Sequence, residues 1–237
     1  MMIIFIKNFL TMFADRDNVE IINQDFLKYR LSEDKRYKVF ASIPFNITAE
    51  ISNKLTDIEK APQDAYLVVQ KEAAWKYAGY PYYRESLRSL FLKPYFELKI
   101  IYSLKRTDFR PVPDVDAVML HIRKRRKLLL KEEEGRLYQD FVSYIFTQNN
   151  KGLRDKSKKI FSYRQIKRLA GDNGFKMDVN PMELRFEQWY RLYRFFSGHV
   201  DQEKQLLVKG AYSKLMKEQR RLDKLHHNRK QGRKFSR

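Results

Sequence analysis

The sequence predicts an α/β domain followed by a small all-α domain, and three observations carry that prediction. Up to about Ile122, short β-rich runs alternate with helical patterns, the signature of a mostly parallel sheet covered by helices. From Glu132 onward apolar residues recur only at helical spacing, at Leu137, Phe141, Tyr144 and Ile145. Between the two regimes stands the charged run RKRRK (123–127), which reads as a hinge.

The β-rich runs are VEIIN (19–23), YKVFA (37–41), AYLVV (65–69), ELKIIYSL (97–104) and DAVMLHI (116–122). Helical patterns fill 47–57, 71–77 and 85–92. The last two β runs are joined by KRTDFRPVPDVD, which has no helical period, so an antiparallel pair is expected there. Further helices are expected at 163–170 and 185–196, the first closed by AGDNGF with Gly171 and Gly174 as stops. Residues 201–226 read as one more helix rich in Lys and Arg, and HHNRKQGRKFSR as a disordered basic tail. The domain reading is therefore 1–124, 125–200 and a basic 201–237.

Composition narrows the function. With 237 residues, 43% of them hydrophobic, the chain can bury a sizeable core. Its 49 Lys and Arg against 29 Asp and Glu give a net charge of +20, which points to a polyanionic partner and first of all to nucleic acid. The absence of cysteine excludes disulfides, thiolate metal sites and a cysteine nucleophile. His226 and His227 lack acidic partners in the tail, so no metal is expected. The opening MMIIFIKNFLTMFA has no positive charge ahead of its apolar run and is broken by Lys7, which argues against a secretory signal. No apolar stretch is long enough to span a bilayer, so a soluble, cytoplasmic protein without a membrane partner is expected; a monomer is expected as well.

One short stretch carries the chemistry. Ser42-Ile43-Pro44-Phe45 follows a strand-like run directly, and it resembles the Asn/Asp-x-Pro-aromatic motif of amino methyltransferases that use S-adenosylmethionine. DNVEIINQDFLKY, LVVQKEAA, DFRPVPDVDAV, FSYRQIKRLAGDNGF and LRFEQWYRLYRFF extend the likeness in order and spacing. From about Phe9 to Phe196 the chain is similar to the Erm family of rRNA adenine N6-methyltransferases, which confer macrolide-lincosamide-streptogramin resistance. The resemblance implies a Rossmann-like methyltransferase sheet, here shortened at its N-terminus, with a helical rRNA-binding domain after it. It also implies S-adenosyl-L-methionine as cofactor and 23S rRNA as substrate.

What the family does with these residues is chemically intelligible. The lone pair of an exocyclic adenine nitrogen is delocalised into the ring, so acceptors aimed at its hydrogens favour a pyramidal nitrogen and stabilise the charge that develops on it. The resemblance assigns that task to the Ser42 side chain and the Ile43 carbonyl, with Pro44 fixing the backbone. It assigns stacking on the target base to Phe45 and Phe109. Asp25, with Phe26 beside it, corresponds to the residues that hold the cofactor's adenine, and Ser42 also borders the cofactor. Arg123, Lys124, Arg125, Arg126 and Lys127, with Lys158 and Lys159, are the expected phosphate contacts. Serine at 42 departs from the commoner asparagine and reaches one atom less far.

A second departure is larger. The family's glycine-rich cofactor loop and the acidic end of its second strand have no counterpart, since every glycine lies at Gly79 or later. VEIIN is then expected to pair anew with YKVFA or to be poorly ordered, and residues 1–237 to bind cofactor weakly. Two alternatives follow: a small-subunit rRNA dimethyladenosine transferase, and a non-catalytic rRNA-binding remnant.

Overall fold

The structure, a computed structural model, describes residues 2–4, 18–33, 36–149 and 151–232. It divides into two units, one formed by Met1–Ala73 with Lys99–Lys124 and the other by Ala74–Leu98 with Arg125–Arg237. The boundary is crossed three times, once within a helix and once within a strand.

The first unit contains two sheets. Strands β1 (Met2–Ile4) and β2 (Val19–Ile21) form a parallel pair with Met2 opposite Val19. The other sheet has four strands in the order β3-β4-β6-β5, namely β3 (Lys38–Ser42), β4 (Asp64–Gln70), β6 (Ala117–Lys124) and β5 (Phe96–Leu104). β3 runs parallel to β4, and β6 antiparallel to it. The two expected hairpin strands, β5 and β6, are neighbours. VEIIN does not re-pair with YKVFA as one expectation had it; its first three residues pair with Met2–Ile4, while most of the opening apolar run lies outside the described residues.

Alternation sets which face of the four-stranded sheet is buried. Ala65, Leu67 and Val69 of β4 and Val118, Leu120 and Ile122 of β6 are almost wholly buried. On the opposite face Phe40, Tyr66 and His121 stand in register across three strands. The Tyr66 and His121 rings stack with centroids 4.4 Å apart, and Phe40 is 72% exposed. Helix α1 (Thr48–Leu55) turns Thr48, Ile51, Ser52 and Leu55 inward, the spacing of one helical face. α2 (Lys71–Ala78) follows β4 without a loop.

The second unit is helical: α3 (Leu87–Leu92), α4 (Glu132–Thr147), α5 (Leu153–Ser157), α6 (Tyr163–Asn173), α7 (Phe186–His199), α8 (Gln202–Leu206) and α9 (Ala211–Gly232). Its core is aromatic. Phe141 and Phe196 lie 4.8 Å apart, Tyr138 meets Tyr193 edge-on at 5.1 Å, and the buried Trp189 donates its indole N–H to the Pro181 carbonyl at 3.1 Å. A buried carboxylate, Glu85, accepts from Ser89 Oγ at 2.5 Å and pairs with Lys93.

Three details depart from the sequence expectation. Gly171 does not stop its helix: α6 runs through it and ends at Gly174, whose φ of 64° supplies the left-handed cap. The single helix expected over 201–226 is two helices, broken at Gly210 with φ 84°. Beyond the break α9 continues to Gly232, past the start of the expected disordered tail at His226; residues 233–237 lie outside the described residues. The charged hinge is not wholly a hinge either, because Arg123 and Lys124 close strand β6.

Candidate active site

In open α/β sheets ligands bind at the carboxyl ends of parallel strands, and the Ser-Ile-Pro-Phe stretch lies at such an end. Ser42 is the last residue of β3, opposite Val68 of β4, and is exposed. Ile43 is buried and extends the parallel ladder by one bond, its N–H donating to the Val68 carbonyl at 3.4 Å. Pro44 holds φ at −60° and ψ at 129°, so the chain leaves the strand extended and then turns sharply into a 3-10 turn over Phe45–Ile47. Ile47 N–H returns to the Pro44 carbonyl at 3.2 Å, and Thr48 Oγ1 donates to the Phe45 carbonyl at 3.1 Å. With these bonds the backbone beneath Phe45 is fixed from both sides, and the half-buried ring projects from a rigid base.

Phe109 sits in the loop between β5 and β6, just after a 3-10 turn over Arg106–Asp108, and is also half-buried. Asp116 ties this loop to the carboxyl end of β4. It accepts from Arg106 Nε at 3.0 Å, pairs with Lys71 at 3.8 Å, and its carbonyl takes the Lys71 N–H at 2.9 Å. Among the described residues neither Phe45 nor Phe109 stacks on another aromatic ring. Sequence reasoning missed the clamp of Asp116, Arg106 and Lys71, since nothing in DFRPVPDVDAV marks its final acid as a tether.

The acidic turn after β2 is built by Asp25. Its carboxylate accepts the Leu27 N–H at 2.9 Å, and its carbonyl takes the N–H of Lys28 and Tyr29. From α1, Lys54 reaches this turn, donating to the carbonyls of Phe26 at 2.8 Å and Leu27 at 2.7 Å and to that of Tyr29. Its ammonium also stands 5.3 Å from the Phe26 ring centroid. Burial pulls the Lys54 amine below the usual lysine value, while the Asp25 charge works the other way. Lys54 thus ties the acidic turn to the helix that begins three residues after Phe45. In the sequence Lys54 is one lysine among the residues of an expected helix, with nothing to mark it as a tether.

These residues match the needs of a nucleoside. An exposed carboxylate whose oxygens offer several lone-pair sites suits an exocyclic amine even while it caps its own turn. Phe26 places an aromatic ring in the same turn, with the Lys54 ammonium over it. When bound, S-adenosylmethionine supplies an electrophilic methyl group; Asp25, Phe26 and Ser42 are the residues of this chain suited to hold it.

The expected phosphate contacts separate into two groups. Arg123 donates to Asp64 at 2.9 Å, Lys124 to the Ile58 carbonyl, and Arg125 to the Lys93 carbonyl at 2.8 Å and toward Glu97 at 3.3 Å. Their charges serve the fold. Arg126, Lys127, Lys158 and Lys159 are exposed. Among the described residues no cluster of three or more His, Cys, Asp or Glu could hold a metal, and no helix is long and apolar enough to cross a membrane.

Strand order, a proline-stiffened turn at a strand end and the helical second unit define a Rossmann-like methyltransferase, and comparison with known proteins agrees. Residues 5–197 match the family model of ribosomal RNA adenine dimethylases, and the chain belongs to that family. It is 27% identical over 190 residues to the ribosomal RNA small subunit methyltransferase A of Mycoplasmopsis pulmonis, covering 78% of this chain and 73% of the relative. It is 24% identical over 190 residues to an rRNA adenine N-6-methyltransferase of Bacteroides fragilis, covering 79% and 70%. The crystal structure of the 23S rRNA methyltransferase ErmE superposes with a TM-score of 0.72 at 25% identity, covering 79% of this chain and 76% of that one.

Proposed function

We propose that this protein transfers methyl groups from S-adenosylmethionine to N6 of an adenine in 23S rRNA and so confers macrolide-lincosamide-streptogramin resistance. The observation that carries the reading is the rigid Ser42–Phe45 turn at the carboxyl end of β3. In this reading Ser42 Oγ and the Ile43 carbonyl accept from the target amino group, Phe45 stacks on the flipped base and Phe109 lies on its other side. Arg126, Lys127, Lys158 and Lys159 contact phosphates. The likeness to ErmE favours the large subunit. The protein acts as a monomer in the cytoplasm, where its substrate is.

A second reading has its own support: relatives such as that of Mycoplasmopsis pulmonis are named for the small subunit. Incubating the protein with labelled cofactor and separated rRNAs decides between them. Label in N6-methylated adenine of the large-subunit rRNA, with macrolide resistance on expression, supports the proposal. Label in small-subunit rRNA replaces it with the second reading. Because no glycine precedes Gly79, residues 1–78 lack the usual backbone cradle for the methionine end, and weak cofactor binding is expected of residues 1–237. No transfer to either RNA, with RNA binding intact, marks a non-catalytic remnant.

A further inference from the structure

The family match ends at residue 197, yet the chain continues for forty residues of a different character. Residues 198–237 hold twelve Lys and Arg against four Asp and Glu, a surplus of eight out of the chain's net +20. Their principal element, α9, is anchored at its start. Asp140 of α4, 2% exposed, accepts the N–H of Gly210 at 3.0 Å and of Tyr212 at 2.9 Å. That buried carboxylate fixes the first turn, where the backbone donors would otherwise be unsatisfied. Tyr212 adds an edge-on contact with Phe91 at 5.3 Å. Among the described side chains beyond Met216, residues 217–222 are all exposed, Leu222 included at 53%.

The cations on this helix are arranged. Lys214, Lys217 and Arg221 fall on one face and span about 10 Å of axis, a reach of two or three phosphates along a strand. Beside them Arg136 of α4 is held by three partners, with Asp140 at 3.8 Å, Ser213 Oγ, and the Tyr212 ring 5.2 Å from its guanidinium. It remains about half exposed. Arg136, Lys217 and Arg220, with Tyr212, Ser213 and Met216, line a groove of about 440 Å³. A guanidinium already oriented by neighbours loses less freedom when it takes up a phosphate, and its planar fork matches two phosphate oxygens. Over 217–222 no apolar burial explains the like charge on this helix; neutralisation by a polyanion does.

We propose that α9, together with Arg136, is an RNA-backbone grip additional to the family core, clamping phosphates of the rRNA substrate without reading its sequence. This rests on the reading that rRNA is the substrate, and it adds where the charge surplus is used. The grip supplies affinity and leaves the methyl-transfer step itself untouched.

The test uses the full chain and a transcribed rRNA fragment. Binding is followed from low to moderate salt for the unaltered protein and for Lys217→Gln/Arg220→Gln/Arg221→Gln. A control triple, Lys76→Gln/Arg84→Gln/Lys99→Gln, removes the same charge elsewhere. Expected is a fall of about 2–3 in the slope of log K against log salt and roughly tenfold or more weaker binding near ~0.15 M for the α9 triple. The control should change far less, and transfer at saturating RNA should be unchanged. Equal losses in both triples, unchanged binding in the α9 triple, or no RNA binding by the unaltered chain would each overturn the proposal. So would charge-dependent binding to anionic lipid vesicles that the α9 triple abolishes while RNA binding persists. If the α9 triple shows the slope change but no variant transfers methyl groups, the catalytic reading falls and the grip stands.

Discussion

At the scale of single residues, Phe45 and Ser42 carry the sharpest expectations. Stacking of a base on an aromatic ring is worth about 1–3 kcal/mol, so Phe45→Ala should lower turnover roughly ten- to a hundredfold while cofactor affinity stays level; equal turnover would remove Phe45 from the site. Ser42→Asn lengthens the acceptor by one atom and should be tolerated or faster in the same assay. Lys54 makes a different prediction. It bonds three carbonyls of the Asp25 turn, so Lys54→Met should raise the KM for cofactor and leave kcat near its original value. Loss of kcat alone would contradict its role as a positioning residue. Asp64 contributes to the acid behaviour. Hydrogen bonds from Arg123 first and His121 second hold its carboxyl below the ordinary value of about 3.9. The stability it contributes is therefore complete above that ordinary value and is lost as the pH falls through the lower folded one. Asp64→Asn should flatten the stability profile below about pH 5 in denaturant titrations. Ser42, Phe45 and Asp25 were legible because each follows a β-rich run within a motif. Lys54, Asp116 and Asp64 were not, because their partners lie 25 to 28, 10 and 45, and 26 to 59 residues away and no local pattern records them.

Elements were legible where period and caps agree. β4 reads as a strand because Ala65, Leu67 and Val69 alternate inward, and α4 reads as a helix from Leu137, Phe141, Tyr144 and Ile145; of these Phe141 and Ile145 are buried, together with Tyr138 and Val142, while Leu137 and Tyr144 are half-buried. Failures came where a tertiary contact overrode local propensity. Nothing between Asp201 and His226 announces a break except one glycine, and it is the Asp140 carboxylate that gives the break its place. That makes α9 sensitive to a single distant side chain. Removing a buried acceptor that satisfies two backbone donors costs about 1–3 kcal/mol, so Asp140→Ala should speed amide hydrogen exchange at residues 210–216 well before it affects α6 or α7. Uniform acceleration across the helices would show instead that Asp140 supports the whole core. VEIIN lost its expected neighbour for a related reason. Its partner, Met2–Ile4, is three residues long, too short for any period to show.

At the scale of the whole molecule, a net charge of +20 repels itself. Moderate salt should screen that repulsion, since the Debye length shrinks from about 30 Å at 0.01 M to about 10 Å at 0.1 M. The apparent Tm should therefore rise over that range in calorimetry even as RNA binding weakens, and a falling Tm would mean that ion pairs outweigh repulsion. Composition alone made this legible. The division into units was less so, because Ala74–Leu98 reads as part of an unbroken α/β alternation yet belongs with the helices that follow Arg125. Since each unit draws on two separated stretches, neither is complete when a ribosome has passed Leu98. The first still lacks Lys99–Lys124, and the second has only its opening 25 residues. No single cut in the gene can release either unit free of a piece of the other, and in synthesis the earlier one must wait, with β4 lacking its neighbour β6, until Lys99–Lys124 has been made.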